Sequence, residues 1–417
     1  MLENINKYLC GIIMPILLVL VGIFFIFKIK FFYILHPIKA LKSMLKGGFK
    51  SLSLALAGTL GVGNIVGVSS AIIVGGAGSI FWMWLSAFIA MSIKYVEVVL
   101  AMRHRQKDNY GNYYGGAPYY IYEGFNKTLG KKIAKILGCT FAFLCVLNSL
   151  TTGNLVQVNS VVTLLPIKPL YFGIIFSAII FVIILGGAKQ ISTFTSILIP
   201  FLTVFYIGLS IYVLACNINE IPSLFSLIIK DAFSFKSAIS GFYGFGIISA
   251  IRFGVSRGIL SNEAGCGSSP TAHASSYTTD THSQGCLGVF EVFVDTILLC
   301  SLTAFVILIA DNSFCTNPME LVISSFSKYT GLIGKYGVIA CSLLFSLATV
   351  ACQYYYGIES IRFISKSKAS KGVYTTIFCI TIIISALIPM ALMWQISDLV
   401  IALMTIFNLI CILFLYR

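Results

Sequence analysis

The sequence predicts an all-α polytopic membrane protein with about eleven transmembrane helices. Hydrophobic residues make up 58% of the chain, charged residues make up only 10%, and the mean hydropathy is +0.96. A soluble globular domain carries about 25% charged residues and about 45–50% apolar residues. The apolar residues also fall in runs of about 20, the length of a helix that crosses a bilayer core. A lipid bilayer is therefore the expected surrounding of this chain.

The apolar runs place the spans along the sequence. The expected spans are 9–29, 51–76, 78–102, 134–164, 167–187, 192–216, 236–257, 286–310, 333–361, 374–393 and 396–416. The first run lacks a small-residue cleavage site and continues into Lys28 and Lys30. It is therefore expected to remain as an anchor and not to be removed as a signal peptide.

Lysine and arginine are unevenly distributed among the connections. They are concentrated after the first, third and ninth spans, whereas the alternate connections contain few. The positive-inside rule then predicts an N-terminus outside the cell and a C-terminus in the cytoplasm, across a prokaryotic cytoplasmic membrane. This distribution accounts for the net charge of +14, so nucleic acid is not an expected partner.

The second span is interrupted at its centre by Gly61-Val62-Gly63-Asn64. A helix satisfies its own backbone in lipid, so a glycine-rich break survives only where it is buried in protein or lines a cavity. Transporters place substrates and ions at such breaks. The seventh span has a second glycine-rich interruption, Ser240 to Gly246. Tight helix packing is the alternative, because Gly63 and Gly67 fit the GxxxG pattern.

The spacing of the two breaks predicts the domain organisation. With residues 1–49 set aside as an accessory helix and linker, the breaks fall in helices 1 and 6 of a ten-helix core. This is the spacing of two five-helix repeats, 50–216 and 236–417, with inverted topology. The chain is expected to form a single transmembrane domain of 417 residues.

The chemistry of the breaks suggests their ligand. The N-terminus of a half-helix offers free N–H groups to a carboxylate, whereas exposed carbonyls suit a cation such as sodium. Neither break contains an acidic residue. A compact zwitterion, a small neutral amino acid, is the expected ligand.

These residues resemble the alanine/glycine:cation symporter family, which has the leucine-transporter-like fold. The motifs that carry the resemblance are Gly58 to Val68, Phe81 to Trp84, Lys94 to Glu97, Gly115 to Ile121, Arg252 to Gly265, and Val294 to Thr296. The resemblance implies sodium-driven uptake of alanine or glycine, with the substrate between the two broken helices. It also implies that Gln157 of the fourth span reaches this site.

The expected substrate contacts combine the breaks with Gln157. They are Thr59, Gly61, Gly63, Asn64, Gln157, Gly241, Phe242, Tyr243 and Gly244. Gln157 belongs to a polar cluster with Asn148, Thr151, Thr152, Asn154 and Asn159. Such a cluster at membrane depth must face the bundle interior or water. Hydrogen bonding between helices is the alternative role for it.

The expected sodium ligands are Gly58, Leu60, Ser346 and Thr349. The family that the chain resembles usually has two consecutive threonines in the ninth span, but here the first is Ala348. Cys352 stands where that family often has glycine. A hard cation needs several oxygen ligands, so proton coupling is an alternative. No lysine lies in the middle of the sixth span to replace sodium, since Lys189 is at its edge.

Other charged residues have structural and functional interpretations. Arg257, Asn262 and Glu263 are candidates for an inner gate in which Arg257 pairs with Glu263 when the site faces outward; a capped helix–turn is the alternative. Lys94 and Glu97 are expected to pair on one helical face and to snorkel to the interface. Asp295 is a carboxylate inside a span, expected to face the ion or a backbone polar group.

The remaining side chains argue against other classes of protein. The 12 cysteines and four histidines form no disulfide or metal pattern. The sequence has no nucleophile paired with a base at workable spacing, so an enzyme is not expected, and no filter repeat or charge ring of a channel. A sensor that keeps the fold without transport remains an alternative. The sequence thus predicts sodium-coupled symport of alanine or glycine by alternating access.

Overall fold

The computed structural model describes residues 2–36, 40, 42, 49–234, 246–311 and 315–416. The N-terminal helix α1 comprises Leu2–Tyr8, a π-helical turn Leu9–Ile13, and Met14–Lys28. A single turn of helix, Phe32–Leu35, follows it. The first expected span thus begins closer to the N-terminus than its apolar run suggests.

Among the described residues, the first half of the bundle contains seven further helices and a small hairpin. The helices are α2 (Phe49–Thr59), α3 (Val66–Gly75), α4 (Ser79–Arg103), α5 (Ala117–Leu129), α6 (Lys131–Leu164), α7 (Pro169–Leu185) and α8 (Gly187–Cys216). Strands β1 (Gln106–Lys107) and β2 (Tyr113–Tyr114) pair antiparallel between α4 and α5. Helix α6 is interrupted by a π-helical turn, Thr151–Val156, and by a 3₁₀ turn, Val162–Leu164.

The second half contains the remaining described helices. They are α9 (Ile221–Ala232), α10 (Ile247–Asn262), α11 (Pro270–Ala274), α12 (Thr281–Ala310), α13 (Pro318–Ile364), α14 (Lys368–Ser385) and α15 (Met390–Leu415). A 3₁₀ turn, Ile218–Glu220, precedes α9, and a π-helical turn, Phe293–Cys300, lies within α12. Helix α13 is kinked at Gly331, whose φ is 57° and ψ is −136°.

Each expected span overlaps a helix of the described residues. Seven helices are long and apolar enough to cross a bilayer, and the bent pair α2–α3 forms an eighth. The other three expected spans correspond to α7, α10 and α14. The predicted bounds of the tenth span, 374–393, are wrong, because α14 ends at Ser385 and a new helix begins after Pro389. Proline lacks the N–H group and disfavours a helical conformation in the residue before it, so a helix boundary before Pro389 is expected.

The break in the second span is confirmed. Helices α2 and α3 meet at an angle of 54°. Gly61 is extended, and the 3₁₀ turn Val62–Asn64 joins the two half-helices. All of these residues are buried, as a break at membrane depth requires.

Helices α4, α10 and α12 hold the broken span from one side. At Gly254 of α10, an added Cβ would lie 2.3 Å from the carbonyl oxygen of Ser79 at the start of α4. The absence of a side chain therefore lets the two backbones approach closely, as at small-residue interfaces in membranes. Helix α13 packs against α2 and α6 on the other side, so the break lies inside the bundle.

Candidate functional site

The amide group of Gln157 lies at the break. Its Oε1 accepts a hydrogen bond from the N–H of Val62 at 3.0 Å. The unwound turn leaves this backbone donor without a helical partner, and the side chain of α6 supplies one. A Cβ at Gly61 would lie 2.6 Å from the same Oε1 and 2.7 Å from Thr349 Oγ1. Gly61 therefore sits between two polar side chains with no space for a third.

The rest of the polar cluster on α6 divides into two groups. Asn154 donates to the carbonyl of Phe378 at 3.0 Å, and Asn159 donates to the carbonyls of Ser385 and Ile388. These two residues bond neighbouring helix backbones, so the structural alternative holds for them. Asn148 and the Thr152 hydroxyl have buried polar atoms with no partner in the described residues. The whole cluster is buried and faces the bundle interior, as expected.

The π-helical turn Thr151–Val156 ends directly before Gln157. Such turns often lie at functional sites, because the additional residue redirects the side chains that follow. No local sequence signal predicts this turn, since it depends on packing against α13. At Gly153, an added Cβ would lie 2.4 Å from Cβ of Gln353.

Oxygen atoms from α2 and α13 meet beside the break. Thr349 Oγ1 donates to the carbonyl of Leu60 at 3.3 Å, and Gln353 Nε2 reaches the carbonyl of Gly58 at 3.5 Å. Ser346 instead donates to the carbonyl of Gln157 at 3.0 Å, one turn away from these groups. Of the four expected sodium ligands, Leu60 and Thr349 are in direct contact, Gly58 contacts Gln353 one turn further along α13, and Ser346 contacts α6.

The departures from the family pattern lie on the same face of α13. Ala348 is fully buried, and Cys352 Sγ donates to the carbonyl of Leu54 at 3.1 Å. The side chain of Cys352 is larger than the glycine often found there in the family, and its thiol donates a hydrogen bond to the backbone of α2. Thr59 donates to the carbonyls of Ala55 and Leu56 within α2, at 3.4 Å each, so its hydroxyl is bonded within its own helix.

The second break lies mostly outside the described residues. The expected substrate contacts there, Gly241, Phe242, Tyr243 and Gly244, fall in residues 235–245, outside the described residues. The described helix α10 begins just after Gly246 and approaches the first break closely. A Cβ at Gly63 would lie 3.2 Å from Cα of Ser261.

Asp295 joins the first break to α10. Its carboxylate accepts hydrogen bonds from Asn64 Nδ2 at 2.7 Å, Ser261 Oγ at 2.8 Å and Thr296 Oγ1 at 2.7 Å. The expected partners of Asp295 were the ion or a backbone polar group. The partners of its carboxylate in this structure are instead three side chains. Asn64 Oδ1 is buried and has no partner among the described residues. Three donors around one carboxyl group satisfy its buried oxygen atoms.

The expected pair of Arg257 and Glu263 is absent from this structure. Arg257 forms a two-point ion pair with Asp398 of α15, at 2.7 Å and 3.3 Å, and stacks on the ring of Trp394 at 4.2 Å. Asp398 was not predicted as the partner, because it lies 141 residues from Arg257 and outside the same motif. A planar guanidinium favours such two-point contacts with a carboxylate.

Glu263 and Asn262 shape the turn after α10. Glu263 has a left-handed backbone, with φ of 51°, and accepts from Ser268 and Gln353 at 2.5 Å each. Asn262 Oδ1 accepts from the N–H of Ala264 at 2.9 Å. These contacts match the capped helix–turn alternative. Gln353 also links this turn to the carbonyl of Gly58.

The expected pairing of Lys94 with Glu97 is wrong. Neither residue reaches the interface, since both are fully buried. Lys94 Nζ contacts Glu291 Oε1 of α12 at 3.2 Å and Ser269 Oγ at 2.5 Å. Glu97 accepts from Asn408 at 2.5 Å and from the N–H of Gly265 at 3.2 Å. Buried charges need partners, and the tertiary fold supplies different ones.

His273 and Glu291 extend this buried network. His273 Nε2 lies 3.0 Å from Glu291 Oε2, and His273 Nδ1 lies 2.9 Å from Gln284 Oε1. Neither His273 nor Glu291 was among the functional residues predicted from the sequence. A carboxylate inside a predicted span was the available signal. Across the part of the chain that the structure describes, no group of three or more His, Cys, Asp or Glu residues fits a metal ion.

Comparison with known proteins agrees with this architecture. The model of the sodium:alanine symporter family matches residues 1–417. The chain is 33% identical to a sodium/alanine symporter, AgcS of Methanococcus maripaludis, over 100% of this chain and 94% of that protein. It is 34% identical to a probable sodium/glutamine symporter, GlnT of Bacillus subtilis, over 99% of this chain and 87% of that protein.

A solved structure supports the fold. The crystal structure of MhsT in complex with L-phenylalanine covers 87% of this chain and 87% of its own, with a TM-score of 0.61 and 15% identity. This likeness concerns the fold alone, and it confirms the leucine-transporter-like fold expected from the motifs. The family match confirms that the protein is a membrane transporter and not an enzyme. The chain belongs to the sodium:alanine symporter family.

Proposed function

We propose that this protein imports alanine or glycine together with sodium by alternating access. The observation that carries the proposal is the buried break at Gly61, which lies between the amide of Gln157 and the hydroxyl of Thr349. The first is suited to an amino acid and the second to a hard cation. Membership of a family of sodium-coupled amino-acid symporters supports this coupling.

The substrate is proposed to lie against the N-terminus of α3. This half-helix directs free N–H groups into the break, and such groups favour a carboxylate. Gln157 and Asn64 supply the neighbouring side-chain amides. Gly61 and Gly63 leave little room around them, which favours a short side chain on the ligand. The other proposed contacts are Gly241, Phe242, Tyr243 and Gly244 of the second break.

Membership of the family does not by itself specify alanine or glycine as the substrate. The names of the two relatives give alanine for AgcS and glutamine for GlnT, so side chains of different size occur among the substrates of similar proteins. The close contacts at Gly61 and Gly63 in this chain favour a small substrate.

Sodium, as the co-transported substrate, is proposed to bind the carbonyls of Gly58 and Leu60 and the hydroxyl of Thr349. These groups are oxygen donors and suit a hard cation. Ser346 completes the set only by turning from the carbonyl of Gln157. Ala348 offers no hydroxyl, so we expect a weaker site than one with two consecutive threonines.

Asp295 is proposed to act as a positioning residue. Its three hydrogen bonds tie Asn64 at the first break to Ser261 of α10. Both broken helices then move as one unit while the rest of the bundle rocks about the site. Arg257, Asn262 and Glu263 are proposed to control the inner side of this path.

The proposed orientation and domain organisation follow the charge distribution and the breaks. The chain is an integral membrane protein, and we place its N-terminus outside and its C-terminus in the cytoplasm. Residues 50–216 and 236–417 are proposed to form the two inverted repeats, with residues 1–49 as an accessory segment.

Uptake into proteoliposomes tests the function. Labelled alanine, glycine and serine are supplied while gradients of sodium, lithium and protons are imposed separately. We expect accumulation of alanine or glycine only with an inward sodium gradient. Uptake that is unchanged without sodium would overturn sodium coupling, and dependence on the proton gradient alone would establish the alternative. Binding of alanine without counterflow exchange would identify a sensor.

A further inference from the structure

A small cavity opens where hairpin β1–β2, α5, the start of α6 and the end of α13 meet. Its volume is about 140 Å³. Three cationic side chains line it, Lys135, Arg362 and Lys366, together with the phenol rings of Tyr114 and Tyr122. None of the described residues that line it is acidic. The cavity is therefore cationic and rich in hydrogen-bond donors.

The contacts of Arg362 fix its place in the wall. Its guanidinium lies 3.6 Å from the centre of the Tyr114 ring. Its Nη1 is 3.5 Å from Glu359, and its Nη2 is 4.0 Å from Asp108. These two carboxylates hold the arginine from behind and compensate its charge. The nearby Glu123 is bonded to Gln106 and His104.

The two lysines are not neutralised in this way. Lys135 Nζ donates to the carbonyl of Phe363 at 3.1 Å and lies 4.1 Å from the centre of that ring. Lys366 has no ion-pair or hydrogen-bond partner in the part of the chain that the structure describes. Both lysines are exposed. The cavity thus retains positive charge that an anion can bind.

Exposed aliphatic side chains adjoin the cavity. Ile133 and Ile136 on α6 are 50% and 58% exposed, and Ile364 at the end of α13 is 41% exposed. Lysine and tyrosine next to exposed isoleucine are typical of the boundary between headgroups and hydrocarbon. A ligand with an anionic head and apolar chains matches both features, whereas a free anion matches only the first.

We propose that this cavity binds the phosphodiester headgroup of an anionic phospholipid. Lys135, Arg362 and Lys366 contact the phosphate, the Tyr122 hydroxyl donates to one of its oxygens, and the acyl chains lie along Ile133 and Ile136. The Tyr114 hydroxyl donates instead to Gln106 Oε1 at 3.1 Å. Basic pockets between transmembrane helices bind such headgroups on the cytoplasmic side. The bound lipid ties α5 and α6 to the end of α13, the helix that carries Thr349. Placement in the inner leaflet rests on the proposed orientation, whereas the binding itself does not.

Native mass spectrometry of the full chain, released from nanodiscs of equal phosphatidylglycerol and phosphatidylcholine, tests this site. We expect the wild-type protein to retain phosphatidylglycerol preferentially. The double variant Lys135→Ala/Lys366→Ala should retain phosphatidylglycerol at a level lower than wild type by roughly fivefold or more. The control Lys127→Ala/Lys132→Ala removes the same charge from the same region outside the cavity and should retain the lipid. A second variant, Lys135→Gln/Lys366→Gln, keeps more side-chain volume and should behave like the alanine variant.

Three results would overturn the proposal. Unchanged lipid retention in both cavity variants would exclude these lysines as headgroup contacts. An equal loss in the Lys127/Lys132 control would indicate a general surface charge effect. Binding of inorganic phosphate to protein in phosphatidylcholine discs, with the same dependence on Lys135, would identify a phosphate site and not a lipid site. Thermal unfolding of each variant confirms that it is folded before the comparison.

Discussion

The side-chain oxygen of Gln157 accepts a hydrogen bond from the backbone N–H of Val62 at 3.0 Å, across 95 residues of sequence. This contact joins α6, just after its π-helical turn Thr151–Val156, to the point at which another helix is broken. An N–H group exposed by unwinding is costly in a bilayer unless it has a partner. Gln157 supplies that partner within the protein, and an arriving carboxylate can take its place. The same atom pair thus stabilises the break and marks the proposed site of the substrate.

Substitution Gln157→Ala tests this relationship. It removes the acceptor of the Val62 N–H and the proposed substrate contact together. We expect alanine uptake to fall roughly 10-fold to 100-fold, since a buried group left without its hydrogen bond costs about 1–3 kcal/mol. The matched control is Asn159→Ala on the same helix, which removes bonds to Ser385 and Ile388 only. It should lower the unfolding temperature but retain uptake. Equal uptake by Gln157→Ala and wild type would remove Gln157 from the site.

The hydroxyl of Thr349 is predicted to set the affinity for sodium. Thr349→Ala removes an oxygen ligand beside the carbonyl of Leu60, whereas Thr349→Ser keeps the hydroxyl. We expect the sodium concentration for half-maximal uptake to rise about tenfold in the alanine variant, the equivalent of about 1.4 kcal/mol. The serine variant should stay close to wild type. A sodium titration at saturating alanine measures both. The ligand assignment fails when the alanine variant has an unchanged sodium dependence.

Gly61 is predicted to exclude any side chain. In Gly61→Ala the new Cβ would meet Gln157 Oε1 at 2.6 Å and Thr349 Oγ1 at 2.7 Å. Overpacking of this kind costs about 1–3 kcal/mol and displaces the groups involved. We expect uptake to drop at least roughly tenfold. At Gly208 of α8 an added Cβ meets nothing within 4 Å, so Gly208→Ala should transport normally. Full transport by Gly61→Ala would show that the break tolerates a wider backbone.

Hydropathy and glycine content were sufficient to predict the spans and the first break. A bilayer requires about 20 consecutive apolar residues and a satisfied backbone in each span, and both requirements can be checked along the sequence. The bend at Gly61 to Asn64 is a local feature of this kind. The amphipathic helices α5 and α9 were missed, since a search for uniformly apolar runs does not detect them.

Charge pairing was predicted poorly for a physical reason. Lys94 was expected to pair three residues away, with Glu97, but its partner Glu291 is 197 residues distant. Arg257, which was expected to pair with Glu263 when the site faces outward, contacts Asp398 in this structure, 141 residues away. Buried charges take the partner that the packed helices bring closest. The three-residue spacing of Lys94 and Glu97 predicts pairs on the surface of a single helix. It does not predict pairs that are buried between two helices.

The pair of Lys94 and Glu291 is predicted to be a strongly coupled structural element. Lys94→Met leaves the carboxylate of Glu291 with only His273 beside it, and removal of one partner from a buried pair costs about 3–5 kcal/mol. Glu291→Gln similarly leaves a buried ammonium group. The double variant Lys94→Met/Glu291→Gln removes both charges, so it should be more stable than the sum of the single effects by about 0.5–3 kcal/mol.

Unfolding of the purified protein in detergent measures this cycle, with Lys168→Met as the control because Lys168 is exposed. The control should unfold like wild type, and each single variant should unfold at a clearly lower temperature. Strict additivity of the two single effects would mean that Lys94 and Glu291 do not interact. In that case each residue would be stabilised by its other contact, Lys94 by Ser269 and Glu291 by His273.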